Sequence, residues 1–147
     1  MLKDVLETAK LHISRAEYAK NEVLTWETLT TDLFSDSDKV KTIDSFIYRF
    51  IKLQDIIGQK LFRAYLDRVG DYRDDMSFLD ILDRLEKLQI IENPQTWLEY
   101  RKLRNELTHE YPDNESEILE GIILAIDAFD RTVAIVDRIR KLSKMNL

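Results

Sequence analysis

Near the start of the chain, apolar side chains fall at Leu2, Val5, Leu6, Ala9, Ile13 and Ala16. That three-and-four spacing is one face of a helix, predicted to run from Leu2 into the low twenties. Residues 25–31 are mostly polar but hold Trp26 and Leu29, and read as an ordered connector. Ser35-Asp36-Ser37-Asp38 offers caps for a long second helix reaching roughly Asp67, with Gly70 as a stop beyond it. Gly58 lies inside that helix, where it costs about 1 kcal/mol against alanine. Close approach of another helix is the simplest reason for it.

Asp74-Asp75 opens a predicted third helix through Leu79, Leu82, Leu85 and Leu88. Asn93-Pro94 starts the fourth, since proline suits the first helical position. It carries Trp97, Tyr100, Leu103 and Leu107, and stops around His109 because Pro112 biases Tyr111 away from helical geometry. Asn114 with Glu117 resembles a capping box for the fifth helix. Its buried stripe is Ile118, Ile122, Ala125, Phe129, Val133, Val136 and Ile139. The expected fold is all-α, an up-down bundle of about five helices in one domain over residues 1–147.

Composition agrees: 147 residues suffice for one proper core, and three glycines with two prolines are few breakers. There is no cysteine, so disulfides and thiolate metal sites are unavailable. The start, Met1-Leu2-Lys3-Asp4-Val5-Leu6-Glu7, carries acids where a signal peptide has its apolar region. The apolar run at residues 121–126 is far short of a membrane span. A soluble, cytoplasmic protein with no membrane contact is expected.

The net charge of −6 argues against non-specific coating of nucleic acid, while leaving room for a local basic site. Arg101, Lys102 and Arg104 form one basic cluster; Arg138, Arg140, Lys141 and Lys144 form another, best read as a solvated helix end.

Chemistry concentrates in Arg104-Asn105-Glu106-Leu107-Thr108-His109-Glu110-Tyr111, followed by Pro112. Arginine offers a permanent charge and a planar fork suited to phosphate. Histidine takes and returns a proton near neutral pH. In a regular helix, Arg104 and His109 would lie roughly 140° apart around the axis. Either the helix ends before His109 and lets the ring swing back, or the working site combines two subunits.

The segment resembles the Arg-x4-His-x-Tyr motif of the HepT toxins, a branch of the HEPN ribonuclease superfamily. Residues 45–62, from Ser45-Phe46-Ile47-Tyr48-Arg49 to Gly58-Gln59-Lys60-Leu61-Phe62, resemble the long second helix of such proteins. With segment order and length, the resemblance spans nearly the whole chain. It implies a HEPN-like homodimer with the motifs facing each other, and metal-independent endonucleolytic cleavage of RNA. His109 would be the general base on a ribose 2′-hydroxyl and Arg104 the stabiliser of phosphorane charge. Asn105 would support them by orienting the histidine or a phosphate oxygen.

The resemblance also implies a partner, a minimal nucleotidyltransferase antitoxin of a type VII toxin–antitoxin system. That partner would use ATP to transfer AMP to Tyr111, and the added anion would block the cleft. This chain itself would need no cofactor and no metal. Glu106-x-x-His109 matches half of a di-iron element, but His12 has Ala9 three positions before it, so the match is read as accidental.

Plainer readings stand beside these. Arg104 can be a surface ion-pair former worth about 0–1 kcal/mol. Tyr111 can be an amphipathic edge residue, and His109 a helix C-terminal cation. His12 reads as structural. Arg49, Lys52 and Asp55 can face the cleft, or Lys52 and Asp55 can form an ordinary helical ion pair. At the level of function, the alternatives are a non-catalytic module that binds the nucleotidyltransferase, and a purely structural helical dimer. Residues 106–120 contain no lysine or arginine, which favours the binding module.

Overall fold

A computed structural model describes residues 1–109 and 114–144, and among them every regular element is helical. The first helix, α1, spans Leu2–Val23 and buries Leu2, Val5, Leu6, Ala9 and Ala16 as the spacing predicts. Thr30 then caps a short 3-10 turn, Thr31–Ser35, that the sequence pattern did not suggest. Trp26 and Leu29 of the connector pack on a small apolar cluster built from Val23, Leu33, Ile43 and Ile122.

Next comes one continuous rod. Helix α2 (Ser37–Ile56) is capped by Asp36, whose Oδ1 accepts from the Asp38 and Lys39 amides. It passes through a π turn, Ile57–Leu61, into α3 (Phe62–Arg68). Gly70 follows with φ of +81°, a left-handed stop that favours glycine. Phe46, Phe50, Leu53, Ile57 and Leu61 line one side of the rod and are fully buried. Small residues of α1 (Ala9, Ala16, Ala19) are buried too, and the contact between α1 and α2 is the most extensive in the molecule.

Helix α4 spans Phe78–Lys87, not a segment opening at Asp74-Asp75. The reason is local: Ser77 and Asp80 form a reciprocal capping box, Ser77 Oγ accepting from the Asp80 amide while Asp80 Oδ2 accepts from the Ser77 amide. Leu82 and Leu85 are buried as expected, but Leu79 turns outward, 55% exposed, and Ile81 joins the buried face. Helix α5 (Pro94–Leu107) starts where expected, with Asn93 Oδ1 accepting from the Thr96 amide at 2.8 Å. Helix α6 (Glu115–Leu142) buries Ile122, Ala125, Phe129, Val136 and Ile139. Its Asn114 makes no side-chain cap bond, so the box expected from Asn114 and Glu117 does not form.

Counting the rod once, the described residues form five helices around a shared core. Phe129 of α6 meets Phe46 of α2 edge-on at 5.7 Å between ring centres. Trp97 of α5, 2% exposed, meets Phe62 of α3 edge-on at 4.8 Å. That second contact fixes the rotation of α5 about its axis and so decides where its polar residues point. None of the described helices is long and apolar enough to cross a membrane.

Candidate functional site

From the Trp97 anchor, helical geometry places Arg101 one turn on and Arg104 two turns on, along a single stripe. Facing them on the rod are Gln54, Asp55, Gly58 and Gln59, which straddle the start of the π turn. The two stripes, with Arg63, Asn105 and Phe78 at the margins, enclose a hollow of about 380 Å³. A Cβ built on Gly58 would stand 3.6 Å from Trp97 Cζ2. The expected close approach at this glycine is therefore real, but it leaves ordinary contact distance.

Arg104 is held firmly. Its Nε donates to Asp55 Oδ1 at 2.9 Å and its Nη2 to Asp55 Oδ2 at 2.8 Å. Its Nη1 also donates to Asn105 Oδ1 at 3.2 Å. Asp55 thus pairs with Arg104 on another helix, not with Lys52 on its own. Asn105 braces the arginine. Of the five guanidinium protons, three are committed in these bonds and two stay available to an incoming anion.

Arg63 is held differently. Its Nη1 donates to the carbonyls of Gly58 and Gln59 at 3.1 and 3.0 Å. A π turn offsets the backbone ladder, and this side chain reaches back over the offset. Arg101 lays its guanidinium over the Phe78 ring at 5.2 Å.

His109 lies elsewhere. Helix α5 does end before it, at Leu107, yet the imidazole does not swing back to the hollow. It lines a separate groove of about 1100 Å³ with Ile47, Tyr48 and Ile51 of α2 and Gly121 and Leu124 of α6. Glu106, Glu117 and Glu120 make one border acidic. Tyr48 and Leu124 are each 53% exposed there. Within one chain, then, Arg104 and Asn105 share a cavity with each other but not with His109. Tyr111 and Pro112 lie outside the described residues.

Another polar cluster sits between α1 and α2. Arg49 Nη1 stands 3.1 Å from His12 Nδ1, a geometry in which the unprotonated ring nitrogen accepts. Burial first, then the positive charges of Arg49, Lys52 and Arg15, pull the His12 pKa below its ordinary value. Arg49 and Lys52 both pack over the Tyr48 ring, at 5.1 and 5.5 Å. Sequence spacing alone gave no sign that His12 and Arg49 would meet, because they stand on different helices.

Among the described residues, no group of three histidine, cysteine or acidic side chains is placed to hold a metal ion. The cationic hollow has no sequence signature beyond Arg101 and Arg104. Arg63, Gln54 and Trp97 join it only through packing of α5 on the rod. Comparison of the chain with protein-family models, with curated proteins and with solved structures finds no match in any of the three.

Proposed function

We propose that the chain is a HepT-like toxin of the HEPN kind, a metal-independent endoribonuclease that works as a homodimer. The observation that carries the reading is the Arg104 fork: a motif arginine pinned by Asp55, with two donors left toward a cavity. A pinned guanidinium needs no reorganisation when charge gathers on phosphate oxygens, which is the form of electrostatic help that matters most in such reactions. His109 takes the proton of a ribose 2′-hydroxyl, the 2′-oxygen attacks phosphorus, and the 5′-oxygen leaves, producing a cyclic phosphate. Because Arg104 and His109 of one chain line different depressions, the reaction requires a second copy that brings one motif against the other. The groove at His109, with Tyr48 and Leu124 half exposed, is the apolar surface available for that copy.

The regulatory half of the reading assigns Tyr111 as the residue adenylylated from ATP by a nucleotidyltransferase antitoxin. An intact-mass shift mapped to any other residue after incubation with that partner and ATP would reject it. The nuclease half is tested with purified protein and RNA in the presence of a chelator. Wild type cleaves; Arg104→Ala and His109→Ala do not. Cleavage that survives in both variants defeats the assignment.

A second reading has its own support. The acidic border formed by Glu106, Glu117 and Glu120 beside His109 repels a polyanion and suits a basic protein surface. Under that reading the chain is a non-catalytic module that docks the nucleotidyltransferase. Absence of cleavage by the wild type, with tight binding of the partner, would select it.

A further inference from the structure

Three cations where α1 meets α2 have no anionic partner. Arg15 on α1 and Arg49 and Lys52 on α2 take part in none of the ion pairs among the described residues. Sequence spacing leaves them so: of the residues three or four positions from any of them, Asp55 alone is acidic. Asp55 lies three residues beyond Lys52, and both its oxygens turn to Arg104 on α5. In a chain with 28 acidic residues against 22 basic ones, this face is a local excess of positive charge.

His12 stands within that excess. Arg49 Nη1 donates to its Nδ1 at 3.1 Å, so the neutral ring carries its proton on Nε2. The charged groups acting on the ring are Arg49 and Lys52 of α2 and Arg15 of α1, and none is a carboxylate. Tyr48 gathers the two α2 cations, its ring centre lying 5.1 Å from the guanidinium carbon and 5.5 Å from the ammonium. Arg15 and Lys52 are exposed, so the cluster opens to solvent. Every side-chain nitrogen of these three cations is a donor, which suits a ligand that only accepts.

A second proton on His12 changes the pairing. Its Nδ1–H and Arg49 Nη1 then become two donors facing each other. An oxyanion oxygen that accepts from both removes the conflict and favours the charged ring.

We propose that this face binds a compact, doubly charged oxyanion of the phosphate or sulfate class, and that His12 takes up a proton as the ion binds. Three fixed positive charges, with a fourth on demand, exceed what the single negative charge of a phosphodiester neutralises. A dianion matches them better. The site stands apart from the hollow at Arg104 and does not rest on the ribonuclease reading. Its ligand has two sources, the free ion or a phosphate monoester group on a larger molecule.

Sulfate is the first probe, because it stays doubly charged between about pH 5.5 and 7.5, on either side of the ordinary histidine value. Calorimetric titration of the full chain, at ionic strength fixed with chloride, should show sulfate binding about fivefold tighter at the lower pH. By linkage, saturating sulfate raises the His12 titration midpoint by about one pH unit, read by NMR in a His109→Ala background where His12 is the sole histidine. His12→Gln binds sulfate without pH dependence. Lys52→Glu and Arg15→Glu each weaken sulfate about fivefold or more, whereas Lys87→Glu, the same reversal at an exposed position of α4, changes nothing. Sulfate affinity untouched by Lys52→Glu, or a pH dependence that persists in His12→Gln, overturns the site. Dimethyl phosphate, a singly charged diester, overturns it too if it binds as tightly as sulfate. Glycerol 2-phosphate as tight as inorganic phosphate supports the site and assigns it to a monoester group; markedly weaker binding supports it and assigns it to the free ion.

Discussion

Arg104 and Asp55 meet as two parallel hydrogen bonds, 2.9 and 2.8 Å long, across the interface between α5 and the rod. The pair is neither a surface contact nor a core one: their side chains are 25% and 32% exposed. Exposed pairs contribute about 0–1 kcal/mol and the breaking of buried ones costs roughly 3–5 kcal/mol, so Asp55→Ala should cost about 1–2 kcal/mol. A chemical-denaturation midpoint checks this. On the proposed ribonuclease reading, the same variant should lose most RNA cleavage, because the guanidinium loses the partner that aims it. Arg104→Lys should lose cleavage likewise, since an ammonium cannot make the two-bond fork to Asp55.

Gln54 gives a prediction of opposite flavour. Gln54→Leu removes one hydrogen bond to Thr132 but also removes an acceptor that has no donor. The Thr132 hydroxyl keeps its bond to Ala128. Stability should therefore stay within about 1 kcal/mol of wild type, or rise. A thermal melt of the two proteins reads the difference.

Two glycines should respond differently to alanine. At Gly58 the added methyl group meets Trp97 at ordinary contact distance, so relief of the glycine penalty stabilises by up to about 1 kcal/mol. At Gly121 it would stand 3.3 Å from Leu107 Cδ2, and that side chain must give way. Gly121→Ala should accordingly gain less than Gly58→Ala in a urea unfolding comparison.

His12 confers a pH dependence whose sign follows from its depressed pKa. In the unfolded chain the imidazole protonates near 6.5; in the fold it does so only at lower pH. The unfolded state then binds more protons, so stability is full above 6.5 and declines as pH falls through that value toward the folded pKa. Arg49, Lys52 and Arg15 face the ring and supply the opposing charge. His12→Gln should flatten the fall of Tm over that interval relative to wild type. Equal slopes for the two proteins would refute the linkage.

Much of the fold was legible because its signals are local. Asn93-Pro94, Asp36 and Gly70 act where they stand, and the stripes on α1 and α6 repeat often enough to fix a face. Asp74-Asp75 misled because two acids mimic a helix start, while the stronger device, Ser77 with Asp80, sits three residues later. The site was legible only in part. Arg104 and His109 stood out by chemistry, but spacing on one helix cannot reveal that Asp55 captures the first while the second opens onto another groove. Gln54 and Arg63 carried no signal at all; they matter through what α5 brings beside them.

The π turn has a consequence for how this chain tolerates length changes. Its wider loop absorbs one residue beyond regular winding, and thereby keeps everything after Leu61 in phase with the helix before it. Deleting a residue there would restore ordinary winding and leave Phe62, Tyr65 and Leu66 close to their present neighbours, because the turn holds one residue more than regular winding needs. The same shortening made in the regular winding of α2 or at the start of α3 should instead swing the residues beyond it by about 100°, unseat Trp97 from Phe62, and undo the alignment that carries Arg104 to Asp55.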